Sequence, residues 1–163
     1  MTAAWDTTVA SRLSPGSEVA AHVAARALTD DPVRIAAPAI LEVAYGYERA
    51  AATDARFRNL LGWFTGLVAG GDIVDVPLDA RAAVVAGRMR AASPGAPPER
   101  KGEKRSKTMR QAAWLLDIQI AATAFAGGLD VATENRSDFE KLSELLVRLF
   151  PEAPPLGVVE PPV

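Results

Sequence analysis

The sequence has no cysteine and a single histidine among its 163 residues. Without thiols there can be no disulfide, no cysteine nucleophile and no zinc site built on sulfur, and one histidine cannot furnish a histidine-rich metal centre. Any metal this chain binds must be held by oxygen, which selects hard cations such as Mg2+ or Mn2+. Long apolar runs are missing as well. The longest stretch without a charged residue, 59–71, falls short of the roughly 20 residues that a membrane span needs. The opening MTAAWDTTVA shows no basic segment leading into an apolar one, so no secretory signal is visible and a soluble cytoplasmic protein without membrane contact is expected. The net charge of −2 and pI near 5.5 do not mark a general nucleic-acid binder.

With 49% hydrophobic residues, the chain can bury one core but not two comfortable ones. A single domain over 1–150 is expected, followed by a proline-rich tail over 151–163 in which 157–159 offers a short edge strand. Elements alternate along the domain. A first strand ends around Trp5, with Asp6 where the chain leaves the sheet. Ser17 caps a helix over 18–28, 33–37 reads as a buried strand, and Pro38 suits the first turn of the next helix. A helix over 54–70 carries Phe57, Leu60, Leu61, Phe64, Leu67 and Val68 at i, i+3, i+4 spacing and is read as core that extends into a subunit contact. A strand at 73–76 and a helix at 78–90 follow. This alternation predicts an α/β fold with a mainly parallel sheet.

The most informative stretch is 111–142. Asp117 is read as opening a helix of small and apolar residues that Gly127 and Gly128 close. Val131 and Ala132 form a strand, and Asp138 starts an amphipathic helix. Four acids thus stand at element ends or in apolar surroundings: Asp6, Glu42, Asp117 and Asp138. Each has a plain alternative. Asp6 fits a helix N-cap, Glu42 can turn to solvent toward Arg49, and Ser137 to Glu140 fits a capping box. His22 recurs with Glu18 and Arg26 on the polar side of its helix and is read as a surface residue.

The composition also breaks at 93–110, which is read as a flexible basic loop. Six basic residues (Arg100, Lys101, Lys104, Arg105, Lys107 and Arg110) stand there against Glu99 and Glu103. Such an arm beside an acidic site would attract a polyanion that the acids alone repel, and its six cations are candidate RNA contacts; a solvated linker is the alternative.

In order and rough spacing, four pieces resemble the PIN-domain ribonucleases, and within them the VapC-type toxins of toxin–antitoxin pairs. These pieces are Asp6-Thr7-Thr8, Leu41-Glu42-Val43 with Tyr45-Gly46, Asp117 followed by Ile120 to Ala124, and Thr133-x-Asn135-x-x-Asp138-Phe139. The resemblance implies a three-layer α/β/α PIN-like fold with a mainly parallel central sheet. It also implies a pocket in which Asp6, Glu42, Asp117 and Asp138 are the catalytic metal-site carboxylates, supported by Thr8, Thr133 and Asn135. Gathered carboxylates repel one another unless a divalent cation neutralises them, and Mg2+ or Mn2+ would also activate water. The implied activity is metal-dependent hydrolysis of RNA phosphodiester bonds by a toxin that a VapB-like antitoxin neutralises, with pairing as a homodimer. The first strand has fewer branched apolar residues than the family usually shows, and the basic loop is outside its common core. Two rivals remain: a non-catalytic PIN-like interaction module whose acids bind a basic partner, and an aspartyl phosphatase. The phosphatase pattern wants a second acid two residues after Asp6, where this chain has Thr8.

Overall fold

The strand with the weakest β-propensity lies at the centre of the sheet. A computed structural model describes residues 2–93, 95–96 and 106–163. In it β1 (Ala3–Trp5) pairs in parallel with β2 (Val33–Ala36) on one side and β4 (Asp130–Ala132) on the other. Trp5 is registered with Ile35 and with Ala132. Flanked on both edges, β1 draws its stability from its neighbours, and its alanines let helices approach closely. β3 (Ile73–Val76) lies outside β2 and β5 (Val158–Val159) outside β4, giving an all-parallel order β3-β2-β1-β4-β5.

Helices cover both faces. After β1 come α1 (Thr7–Ala10) and α2 (Glu18–Ala27), with Ser17 Oγ capping α2 by accepting from Ala20 N at 3.1 Å. After β2 come α3 (Ala37–Ala51), with Pro38 in its first turn, and α4 (Arg56–Gly70). After β3 come α5 (Ala80–Ala92) and α6 (Lys107–Ala126), and α7 (Arg136–Leu149) joins β4 to β5. Right-handed crossovers send helices that follow opposite winding directions to opposite faces. Accordingly α3 packs with α4, while α5, α6 and α7 pack with one another. The result is the three-layer α/β/α arrangement expected from the sequence.

The core runs through all layers. Leu13, Ile35, Phe64, Ile73, Met89, Ile118, Ile120, Phe139, Leu142 and Leu146 are all fully buried. Residues 120–124 of α6 are buried on every side, as befits a helix enclosed by other elements. The tail takes part too, since Leu156 is buried and the expected edge strand forms at Val158–Val159. Gly157 passes so close to Asp130 that a Cβ there would lie 2.1 Å from Asp130 Oδ1, which leaves glycine as the residue that fits. No helix among the described residues is long and apolar enough to cross a membrane.

Several expectations are corrected. The helix expected to open at Asp117 begins ten residues earlier, at Lys107, so Asp117 lies in mid-helix. Ser106 Oγ caps it by accepting from Met109 N at 3.2 Å, and Lys, Met, Arg, Gln and Ala are all good helix formers. Lys107 and Arg110 therefore stand in the first turn of a helix, not in a loop. The capping box is displaced as well: Asn135 is the N-cap of α7, and Ser137 and Asp138 lie inside the first turn. On α4 only Phe64 is buried, and the rest of its apolar stripe is half-buried. Among the described elements α4 packs mainly against α3 and β3, and one flank of the stripe stays partly open. His22 is half-buried with its ring 6.0 Å from that of Trp5, and that burial, aided by Arg26, lowers its pKa.

Candidate active site

Asp6 is the first residue beyond β1, and its backbone N–H continues the ladder to Ala132 O at 3.1 Å. Its carboxylate then turns back as the N-cap of α1, with Oδ1 accepting from Val9 N at 3.1 Å. The helix-cap reading of Asp6 is thus correct as far as it goes. The same oxygen also accepts from Thr8 Oγ1, and Oδ2 accepts from Thr133 Oγ1, both at 2.7 Å. Asp6 is 1% exposed, and every bond it makes comes from a neutral donor. Burial raises its pKa above the ordinary value, against the lowering pull of those hydrogen bonds.

The two hydroxyls do double duty. Thr133 Oγ1 accepts from Asn135 N at 2.8 Å, and Thr8 Oγ1 accepts from Glu134 N at 3.0 Å. Two threonines thereby clamp the turn after β1 to the turn after β4, with Asp6 between them. On the outer side Arg12 Nη1, just beyond α1, meets Glu134 Oε1 in the turn after β4 at 2.9 Å. In this sheet β1 is followed by strands laid to one side and β4 lies on the other, so Asp6 sits at the topological switch point. Open α/β sheets bind their ligands there, outside the carboxyl ends of the strands.

Asp138 extends the network. Its Oδ2 accepts from Asn135 Nδ2 at 3.0 Å and its Oδ1 from Lys141 Nζ at 3.1 Å. Asp138 is 9% exposed and lies in the first turn of α7, where a helix dipole favours an anion. Thr8, Asp6, Thr133, Asn135 and Asp138 are therefore joined by one chain of hydrogen bonds. Sequence reasoning missed Lys141, Arg12 and Glu134. Lys141 had a legible signal, since a cation three residues after an acid on a helix lies beside it.

Glu42 and Asp117 arrive from other elements. Glu42 is in the second turn of α3, which starts directly at the carboxyl end of β2; it is half-buried and makes no hydrogen bond or ion pair with the described residues. Arg49, its suggested partner, lies over the Tyr45 ring instead, 5.6 Å from the centroid. Asp117 is half-buried on α6, which packs against α3. From Ala126 back to Asp117 an α-helix rises about 14 Å, while β4 rises about 10 Å to Thr133. Asp117 stands in the middle of α6, with 107–116 as the half farther from β4. That half is anchored at its base by Trp114 Nε1 donating to Ser93 Oγ at 2.9 Å.

Among the described residues, no three Asp, Glu or His side chains come close enough to hold one ion together. Magnesium commonly binds through one or two protein carboxylates and keeps several waters, so a smaller set is compatible with it. The donor chemistry fits a hard cation: a carboxylate buried among neutral donors lacks countercharge, which a divalent ion would supply. Of the six basic residues in the expected arm, Arg100, Lys101, Lys104 and Arg105 lie outside the described residues. Lys107 is exposed and Arg110 is half-buried in the first turn of α6.

No family model matches the sequence, and no curated protein matches it either. Solved structures do. VapBC2 from Rickettsia felis, bound to a DNA fragment from its promoter, matches with a TM-score of 0.58 at 15% identity, covering 98% of each chain. FitAcB from Neisseria gonorrhoeae matches with a TM-score of 0.52 at 22% identity, covering 86% of this chain and 93% of the other. The five-stranded parallel sheet with helices on both faces matches the fold of these structures, and the chain is a domain of PIN-like fold.

Proposed function

We propose that this chain is a metal-dependent endoribonuclease, the toxin of a toxin–antitoxin pair, hydrolysing RNA phosphodiester bonds with Mg2+ or Mn2+. The observation that carries the reading is Asp6: a buried carboxylate at the switch point, fixed by two threonines and given no cation by the described residues. Asp6, Asp138, Glu42 and Asp117 are the candidate ligands, of which one or two would hold the metal directly while waters fill its other positions. When bound, the metal supplies charge neutralisation and an activated water. The chain's own part is orientation. Thr8 and Thr133 fix both Asp6 oxygens, and Asn135 fixes Asp138, so neither carboxylate must reorganise to receive a ligand.

The deciding experiment is incubation of the purified chain with a panel of RNAs, with Mg2+ or Mn2+ and then with a chelator. Cleavage should appear with metal, stop with chelator, and be lost in Asp117→Asn while the far-ultraviolet spectrum is unchanged. Metal-independent cleavage, or an active Asp117→Asn, would refute the assignment. A VapB-like antitoxin whose tail covers the acids, and a homodimer using the open apolar flank of α4, are the partners this reading implies. The basic arm would follow the RNA backbone. Neutralising Lys101, Lys104, Arg105 and Lys107 together should flatten the salt dependence of RNA binding by up to about 0.7 per lost contact in the log–log slope. An unchanged slope would make the segment a solvated linker.

One observation favours a second reading. Lys141 already occupies Asp138, as a lysine from a basic partner would, and this suits a non-catalytic interaction module. The metal and chelator experiment separates the two readings.

A further inference from the structure

Lys141 is the charged residue bonded to a candidate metal ligand that the proposed chemistry leaves without a role. Its ammonium bonds Asp138 Oδ1 at 3.1 Å, while Asn135 holds the other oxygen of the same carboxylate. The two sides of the pair differ in exposure. The Asp138 side chain is 13% exposed and that of Lys141 is 53% exposed, so the acid is fixed and the lysine is free to swing. A half-exposed ion pair of this spacing is weak, and lysine is a mobile point charge on a flexible stem. Asp138 cannot give Oδ1 to both an ammonium and a metal ion without sharing it between two positive charges.

We propose that Lys141 is a positioning residue that holds Asp138 until a divalent cation displaces it, and that the released ammonium then binds an RNA phosphate beside the site. This rests on the functional reading above. It assigns to Lys141 two opposed effects: it weakens metal binding in the absence of RNA and strengthens RNA binding once metal is present. A lysine that merely stiffens the first turn of α7 would produce neither effect.

The test uses the full chain and Lys141→Met, which keeps the aliphatic stem and removes the charge, with Lys141→Arg as the conservative variant. Mn2+ binding is titrated calorimetrically without RNA. RNA binding is then measured by fluorescence anisotropy in Mg2+, with each variant in an Asp117→Asn background so that the RNA stays intact. Lys141→Met should bind Mn2+ about 2- to 5-fold more tightly and RNA about 3- to 10-fold more weakly, with a shallower salt dependence. Lys141→Arg should stay near the parent in both. Unchanged or weaker Mn2+ binding in Lys141→Met, with the parent chain binding normally, overturns the role of Lys141 alone. Unchanged RNA affinity does the same. Failure of the parent chain to bind Mn2+ at all overturns the metal-dependent reading together with it.

Discussion

Replacing Asp6 with asparagine should lower metal-dependent RNA cleavage at least about 100-fold, since loss of a single outer-shell partner of a metal ligand already costs 10- to 100-fold. The same change should raise the melting temperature at neutral pH when metal is absent. The sign follows from burial. Asp6 holds its proton more tightly in the folded chain than in the unfolded one, so its contribution to stability is full below the unfolded value of 3.8 and is lost as pH rises through the higher folded value. At pH 7 the ionised group opposes folding, and asparagine, with the same shape and no charge, removes that opposition. Its amide nitrogen can donate to the Thr133 oxygen that Asp6 now accepts from. Mg2+ or Mn2+ should raise the melting temperature of the parent chain and leave Asp6→Asn where it was. Thermal melts with chelator and with metal check both halves. A variant that melts lower than the parent in chelator would mean that the threonine clamp needs the charge.

Phe139→Ala should be the most damaging single change in the core near the site. The ring is fully buried next to Asp138, and removing it leaves a cavity worth about 3–5 kcal/mol. For a chain of this size that lowers the melting temperature by roughly 10 °C or more. The functional consequence is separate. Phe139 anchors the first turn of α7 to the core, so its loss frees Asn135 and Asp138 to move. Phe139→Leu keeps most of the volume and should recover most of the stability. Metal affinity measured well below both melting points reads out the anchoring: if Phe139→Ala binds Mn2+ as the parent does, the anchor does not position the acid.

The fold was legible where periodicity and punctuation agree. Ser17, Pro38 and the Gly127-Gly128 pair mark element ends by local chemistry, and the structure places its caps and breaks there. β1 was legible only faintly because Ala3 and Ala4 owe their strand geometry to β2 and β4, partners far away in sequence. The start of α6 was hidden for an electrostatic reason. Lys107 and Arg110 lie at the helix end where the dipole disfavours cations, so a run of good helix formers reads as a charged loop. On α4 the sequence shows which residues share a face but not what covers that face, because covering depends on packing. At the site, the choice between cap and functional acid for Asp6 was a false one. A single carboxylate with two oxygens caps α1 and receives two threonines, one of which, Thr133, the fold brings from the far end of the chain.

The hydrogen bond from Thr133 to Asp6 joins residues 127 apart in the chain. Asp6 is made long before its partner strand β4, Thr133 and the acid on α7, because they lie so far along the chain. Such long-range pairing is also the slow part of folding, because the loop it closes is long. A nascent chain is therefore without its site until β4 and the start of α7 have been made, and a product cut short before β4 carries Asp6 without Thr133. If the chain is the nuclease proposed here, its own synthesis is protected from it up to that point.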